Sequence, residues 1–269
     1  MREFLLATDL PFAKPQPYGP FHLIFMLIAF PTVIFAAWKL RNISRKAGSR
    51  MLITFGILMV LGEIYKQLFF HYVVSPDAYV WSIVPFHMCS VPMYFLLVAP
   101  LIKKGKVQSG MYHFMMIYNL LGGAAAFFEP SGLLQNYFIL TILSFLWHLL
   151  LVFVGLYLGF SDRCEKRMCD FRYASVTFVV LCGIAFLINL SFRKASGGKL
   201  NMFFVGPTNT PIIVYKDIGE AFGWYVGTIV YIITILAAGF VIFLPFYFYG
   251  KRRAEKKTGE LADAVSSML

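Results

Sequence analysis

A thiol, two imidazoles and a carboxylate stand in segments that are otherwise apolar. Cys89 and His87 lie in Trp81-Ser-Ile-Val-Pro-Phe-His-Met-Cys-Ser-Val-Pro-Met-Tyr94, His148 ends Phe145-Leu-Trp-His148, and Glu63 lies in Leu61-Gly-Glu-Ile64. A thiol with a base in reach is equipment for nucleophilic acyl transfer: the base takes the proton and the sulfur attacks a carbonyl carbon. An imidazole, with an unperturbed pKa near ~6.5, can take and return that proton at neutral pH. Ionisable groups at membrane depth are costly and mark functional sites by default. His87, Cys89, His148 and Glu63 are therefore the expected catalytic set, with Glu63 orienting an imidazole. On a regular helix His87 and Cys89 diverge by about 200°, so they act together only if the Pro85–Pro92 stretch is unwound. Pro92, lacking an N–H, is expected to disturb the helix there. Otherwise His148 or His22 must supply the base from another helix.

A second set is suited to binding a substrate: Lys66 and His22 for a charged headgroup, with Asn119, Asn189, Trp224 and Tyr225. Each has a plainer reading. Glu63 and Lys66, three apart, can neutralise each other on one helix face. His148 can serve as interhelical glue, Trp224 and Tyr225 as an aromatic belt, His22 as an interfacial residue, and Cys89 as a small buried hydrophobe. Gly122-Gly123-Ala124-Ala125-Ala126 reads as a close helix contact. No metal or cofactor is expected. Cys164 and Cys169 form a C-x4-C pair without nearby histidines, a poor zinc pattern.

The elements that must carry these groups are membrane helices. Of 269 residues, 59% are apolar and only 14% charged, far from the balance of a soluble domain. Apolar stretches near the ~18–20 residues needed to span recur along the chain. The expected fold is all-α, a seven-helix transmembrane bundle over residues 1–250, followed by a basic cytoplasmic tail over 251–269. The spans are expected at about 20–38, 52–71, 82–102, 110–128, 134–159, 173–192 and 221–249. Residues 1–20 read as an irregular cap, and 193–220 as a lid or an interfacial loop.

The net charge of +11 is a topology signal. Lys39, Arg41, Arg45, Lys46 and Arg50 fall in one loop, Lys103, Lys104 and Lys106 in another, Arg163, Lys166, Arg167 and Arg172 in a third, and Lys251, Arg252, Arg253, Lys256 and Lys257 in the tail. An odd number of spans puts all four on one side. The positive-inside rule makes that side cytoplasmic and the N-terminus external. The basic loops are expected to meet anionic lipid headgroups. No nucleic-acid partner is expected, because no basic face belongs to a binding module. Under this topology His22, Glu63, Lys66, His87, Cys89 and Asn189 fall in the outer half, so an outward-facing polar cavity is expected, in a multi-pass protein of the plasma membrane.

The order of these features resembles the YwaF-like integral membrane family of bacteria. The pieces that carry the likeness are Pro20-Phe-His-Leu-Ile24, Leu61-Gly-Glu-Ile64, Val84-Pro-Phe-His-Met-Cys-Ser90, Glu129-Pro-Ser-Gly132, Phe145-Leu-Trp-His148, Asn189 and Gly223-Trp-Tyr225. That family is similar to a eukaryotic seven-span group that remodels ether phospholipids through a Cys nucleophile. The resemblance implies seven helices and a lipid acyl chain as substrate. In that group the Cys directly precedes the His, where this chain has Phe86. A phospholipid acyltransferase is thus the leading expectation. A transporter with a Glu/His proton relay and a non-catalytic sensor or assembly partner are the alternatives.

Overall fold

A computed structural model describes residues 1–210 and 212–266, and ten α-helices lie among the described residues. Pro211, expected in the long loop, and residues 267–269, expected in the tail, lie outside the described residues. There is no strand among the described residues. After a short α1 (Arg2–Leu6), α2 (Pro20–Leu40) opens on a proline, harmless at the first helical turn because that N–H has no helical partner. α3 (Arg45–Phe69) is capped by Ser44, whose hydroxyl accepts from the Ala47 N–H at 3.2 Å, and runs on through a widened turn to Val74. α5 (Lys106–Phe114) and α6 (Leu120–Phe128) form one helical run joined by a π turn over Met115–Asn119. α7 (Phe138–Phe160) and α8 (Phe171–Ser191) follow, then the short α9 (Ile213–Phe222) and the long α10 (Trp224–Ser266). Gly223, at φ 97°, provides the break between α9 and α10 that an L side chain would resist.

Five of these segments are long and apolar enough to cross a membrane: Pro20–Leu40, Arg45–Val74, Phe138–Phe160, Met168–Ser191 and Trp224–Glu260. Their outer faces are apolar, with Leu27, Leu187 and Val241 well exposed, as hydrocarbon rather than water requires. α7 packs on α2 and α6, α5 on α8, and α3 on α4 (Val91–Val98). Small residues set the closest approaches. A Cβ at Gly123 would stand 3.0 Å from the His148 carbonyl oxygen, and one at Gly155 2.8 Å from the Leu120 Cβ. The Gly122–Ala126 stretch is therefore a helix contact, as its composition suggests.

Two regions depart from the expected picture, and the tail is helical. α1 gives the N-terminal cap a short helix, and its Leu5 is buried against Phe69, Val73 and Leu140. The long 193–220 connection folds inward: Met202 and Phe203 are fully buried, with Phe203 beside Phe86 and Phe178. The residues after 250 continue α10 as one helix through Ser266.

Candidate functional site

The expected span over 82–102 is not a continuous helix. Trp81–Ile83 makes one 3-10 turn, residues 84–90 are irregular, and α4 begins at Val91. Pro92 falls in the first turn of α4, where its missing N–H breaks nothing, so the break lies upstream of it.

Irregular backbone in hydrocarbon must find partners inside the protein, and here side chains supply them. Gln67 Nε2 donates to the Ile83 carbonyl at 2.9 Å, Tyr94 Oη to that of Pro85 at 2.9 Å, and Trp147 Nε1 to that of Cys89 at 2.9 Å. His87 Nε2 lies 3.0 Å from the Ser82 carbonyl. The unwinding that would let His87 and Cys89 share a space is thus held open by four side chains.

The two residues do share a space. A cavity of about 230 Å³ is walled by Lys66 and Gly62 of α3, by Ser82, His87, Cys89 and Ser90 of the irregular stretch, by Gln135, and by Ser144, Trp147 and His148 of α7. It lies toward the end of the bundle opposite the basic loops. Both imidazoles have fixed tautomers. A carbonyl only accepts, so His87 must carry its proton on Nε2. His148 Nδ1, 2.8 Å from the Ser144 carbonyl, must likewise be the protonated nitrogen. That leaves Nδ1 of His87 and Nε2 of His148 with lone pairs available as bases.

Glu63 is buried and engaged elsewhere. Lys66 Nζ reaches its Oε2 at 2.7 Å, and Gln67 Nε2 its Oε1 at 2.8 Å. It therefore orients Lys66 and Gln67. The imidazoles are oriented by backbone carbonyls, contrary to the expected role of Glu63. Lys66 Nζ also stands 5.9 Å from the Trp147 ring centroid, on the cavity side.

Five expected binding residues lie outside this cavity. His22 is fully buried against Tyr18 and Phe145, its Nδ1 accepting from the Tyr18 N–H at 3.2 Å. Asn119 sits in the π turn, 1% exposed and with no hydrogen-bond partner for its amide among the described residues. Asn189 clamps Met202: its Nδ2 donates to the Met202 carbonyl at 3.0 Å and its Oδ1 accepts the Met202 N–H at 2.7 Å. Trp224 stacks on Phe186, and Tyr225 is exposed. Depth along a helix fixes a group's height in the membrane but not the face it occupies, and these five share a height without sharing a face.

Gln67 and Trp147 are the residues that sequence reasoning missed. Gln67 had a signal, since it lies one helical turn after Glu63. Trp147 had none, because its indole donor finds its acceptor 58 positions away. The basic end is also more polar than expected. His113 is buried there, with its ring nitrogens 2.7 Å from the carbonyls of Ser109 and Glu165. Among the described residues, no group of three His, Cys, Asp or Glu side chains could hold a metal ion.

Five helices among the described residues that are long and apolar enough to cross a membrane, broken backbone sealed by side chains, and buried polar residues around an internal cavity define a polytopic α-helical membrane protein, multi-pass in the plasma membrane. Residues 17–248 match the model of the TMEM164 family, and the chain belongs to that family. This corrects the resemblance drawn from motif order, because the matching family is not the YwaF-like one. Short motifs without a specific signature can be shared by several helical membrane families. No curated protein and no solved structure matches the chain.

Proposed function

We propose that the protein is a lipid-acting enzyme that transfers an acyl chain between membrane lipids, with Cys89 as nucleophile and His148 as its base. The observation that carries this reading is a thiol and two tautomer-fixed imidazoles on one cavity wall, beside Lys66. The Trp147–Cys89 hydrogen bond ties the turn that bears His148 to the nucleophile's backbone. In the first half-reaction His148 Nε2 takes the Cys89 thiol proton and the thiolate attacks the ester carbonyl of a donor lipid. The ester C–O bond breaks, the acyl group stays on sulfur as a thioester, and the departing alcohol takes the proton from His148. In the second half, the hydroxyl of a lysolipid gives its proton to His148 and attacks the thioester. The C–S bond breaks, and Cys89 regains the proton. Lys66 holds the lipid's phosphate near the mouth, and His87 Nδ1 is a second acceptor nitrogen facing the same cavity.

In this reading residues 1–250 form a seven-span domain and 251–269 a cytoplasmic tail. The helical run over 106–128 and the broken segment from Trp81 to Val98 are the two irregular spans. The N-terminus is external and the basic loops face the cytoplasm, against anionic lipid. A proton relay is less well supported. Fully buried apolar residues, among them Met115, Met116, Ile117 and Phe178, lie between the cavity and the basic end.

The test uses the purified protein in liposomes holding a phospholipid with a labelled acyl chain and an unlabelled lysophospholipid. Wild type should transfer label and form a hydroxylamine-sensitive adduct on Cys89. Cys89→Ala should abolish both, and His148→Ala should slow transfer about 10²-fold or more. Undiminished transfer in Cys89→Ala would remove the thiol from the mechanism.

A further inference from the structure

We infer that the protein has a second binding site, for a phosphate group, at the basic end of the bundle between the ends of α2, α3 and α7. A cavity of about 150 Å³ there is walled by Arg41, Arg45, Arg163, Tyr157, Ser161 and Asp162. Along α7 this is 13 residues past His148, or about 20 Å at the helical rise, so it is separate from the cavity described above.

Three independent features point to an anion. The first is charge. Among the described residues, none of the guanidinium groups of Arg41, Arg45 and Arg163 forms a salt bridge to a carboxylate. Asp162, the one acidic residue among the described residues on the wall, is paired with Arg253 at 3.1 Å, which offsets its charge. Arg163 donates to the Tyr157 hydroxyl at 2.9 Å, to Ser49 Oγ at 3.2 Å and to the Arg45 carbonyl. Its acceptors are all neutral, so its positive charge is not cancelled by them.

The second feature is an orphaned hydroxyl. Ser161 is 2% exposed, lines this cavity, and its Oγ has no hydrogen-bond partner among the described residues. A buried hydroxyl without a partner is costly, and a phosphate oxygen would accept its proton. The third feature is the room made for Arg163. A Cβ at Gly48 would stand 2.2 Å from the Tyr157 hydroxyl oxygen and 2.4 Å from Arg163 Nη2. Only glycine lets Arg163 and Tyr157 come this close to α3. Guanidinium forks with hydroxyl donors suit tetrahedral phosphate oxygens, and the volume suits one phosphate group. The group could belong to a phospholipid of the adjoining leaflet or to a soluble phosphate.

The experiment follows thermal unfolding of the full chain in maltoside micelles free of phosphate. Inorganic phosphate and dioleoylphosphatidylglycerol are titrated separately, with sodium chloride at matched ionic strength as control. Wild type should show a saturable rise in Tm of about 3 °C or more with at least one phosphate probe. A rise with phosphatidylglycerol alone assigns the site to a lipid headgroup, and one with inorganic phosphate assigns it to a free anion. Ser161→Ala, which removes one oxygen, and Arg41→Gln, at the exposed rim, should each weaken the apparent affinity about tenfold. An equal rise in wild type and both variants, a rise matched by chloride, or no rise with either phosphate probe would overturn the proposal.

Discussion

Asn189→Ala separates a clamp from a ligand-binding residue. Both polar ends of the Asn189 amide are spent on Met202, at 3.0 and 2.7 Å, and both residues are buried. Alanine would leave the Met202 N–H and carbonyl without their partner. An unsatisfied buried group costs about 1–3 kcal/mol, so the pair should cost about 2–6 kcal/mol. At roughly 2–4 °C per kcal/mol for a chain of this size, Tm in micelles should fall by about 4–24 °C. Met202 leads into Phe203 and Phe204, whose φ values of 53° and 56° are rare for bulky residues. With the clamp gone, that left-handed pair should relax. Phe204 is 6.1 Å from His87 and Phe203 5.9 Å from Phe86, centroid to centroid, so the loss should reach the cavity wall. Met202→Leu conserves volume and keeps the backbone bonds, so it should cost less than about 1.5 kcal/mol. The assay is scanning fluorimetry on both variants. A drop in Asn189→Ala no larger than that of Met202→Leu would refute the clamp.

Two further outcomes follow from the same geometry. Gly62 lines the cavity that holds Cys89 and His148, and a Cβ there would stand 3.1 Å from Leu143 Cδ1. Gly62→Leu should therefore fill the space, cutting acyl transfer at least tenfold while Tm falls by only a few degrees; unchanged transfer would mean that lipid does not enter there. Cys169 is exposed whereas Cys164 is buried, and burial pushes the Cys164 thiol up to about 12. A raised thiol pKa favours the folded state fully below the ordinary value near ~8.5, and that contribution is lost as pH rises from there through about 12. In native protein at pH 7–9 an impermeant maleimide should label Cys169 only from the cytoplasmic face, and should spare Cys164. Labelling of Cys169 from the external face would reverse the proposed topology.

Membrane class, helical content and the uneven placement of positive charge were legible in the sequence, because each depends on composition summed over a whole segment. Solvation by hydrocarbon leaves no other fold for such runs of apolar residues. The Glu63–Lys66 pair was legible too, since helical spacing alone brings the two together. What lies across helices was not. Depth along a helix can be counted in residues, but azimuth depends on packing, and so His22, Asn119 and Asn189 went to other walls. The bond from Trp147 to Cys89 joins segments 58 positions apart. Ser161 and Gly48 look ordinary in the sequence, and only the approach of α7 to α3 gives the hydroxyl its cavity and the glycine its purpose. Tertiary structure decided these because hydrogen bonds and cavities require positions within a fraction of an ångström, and no local preference of the chain carries that information.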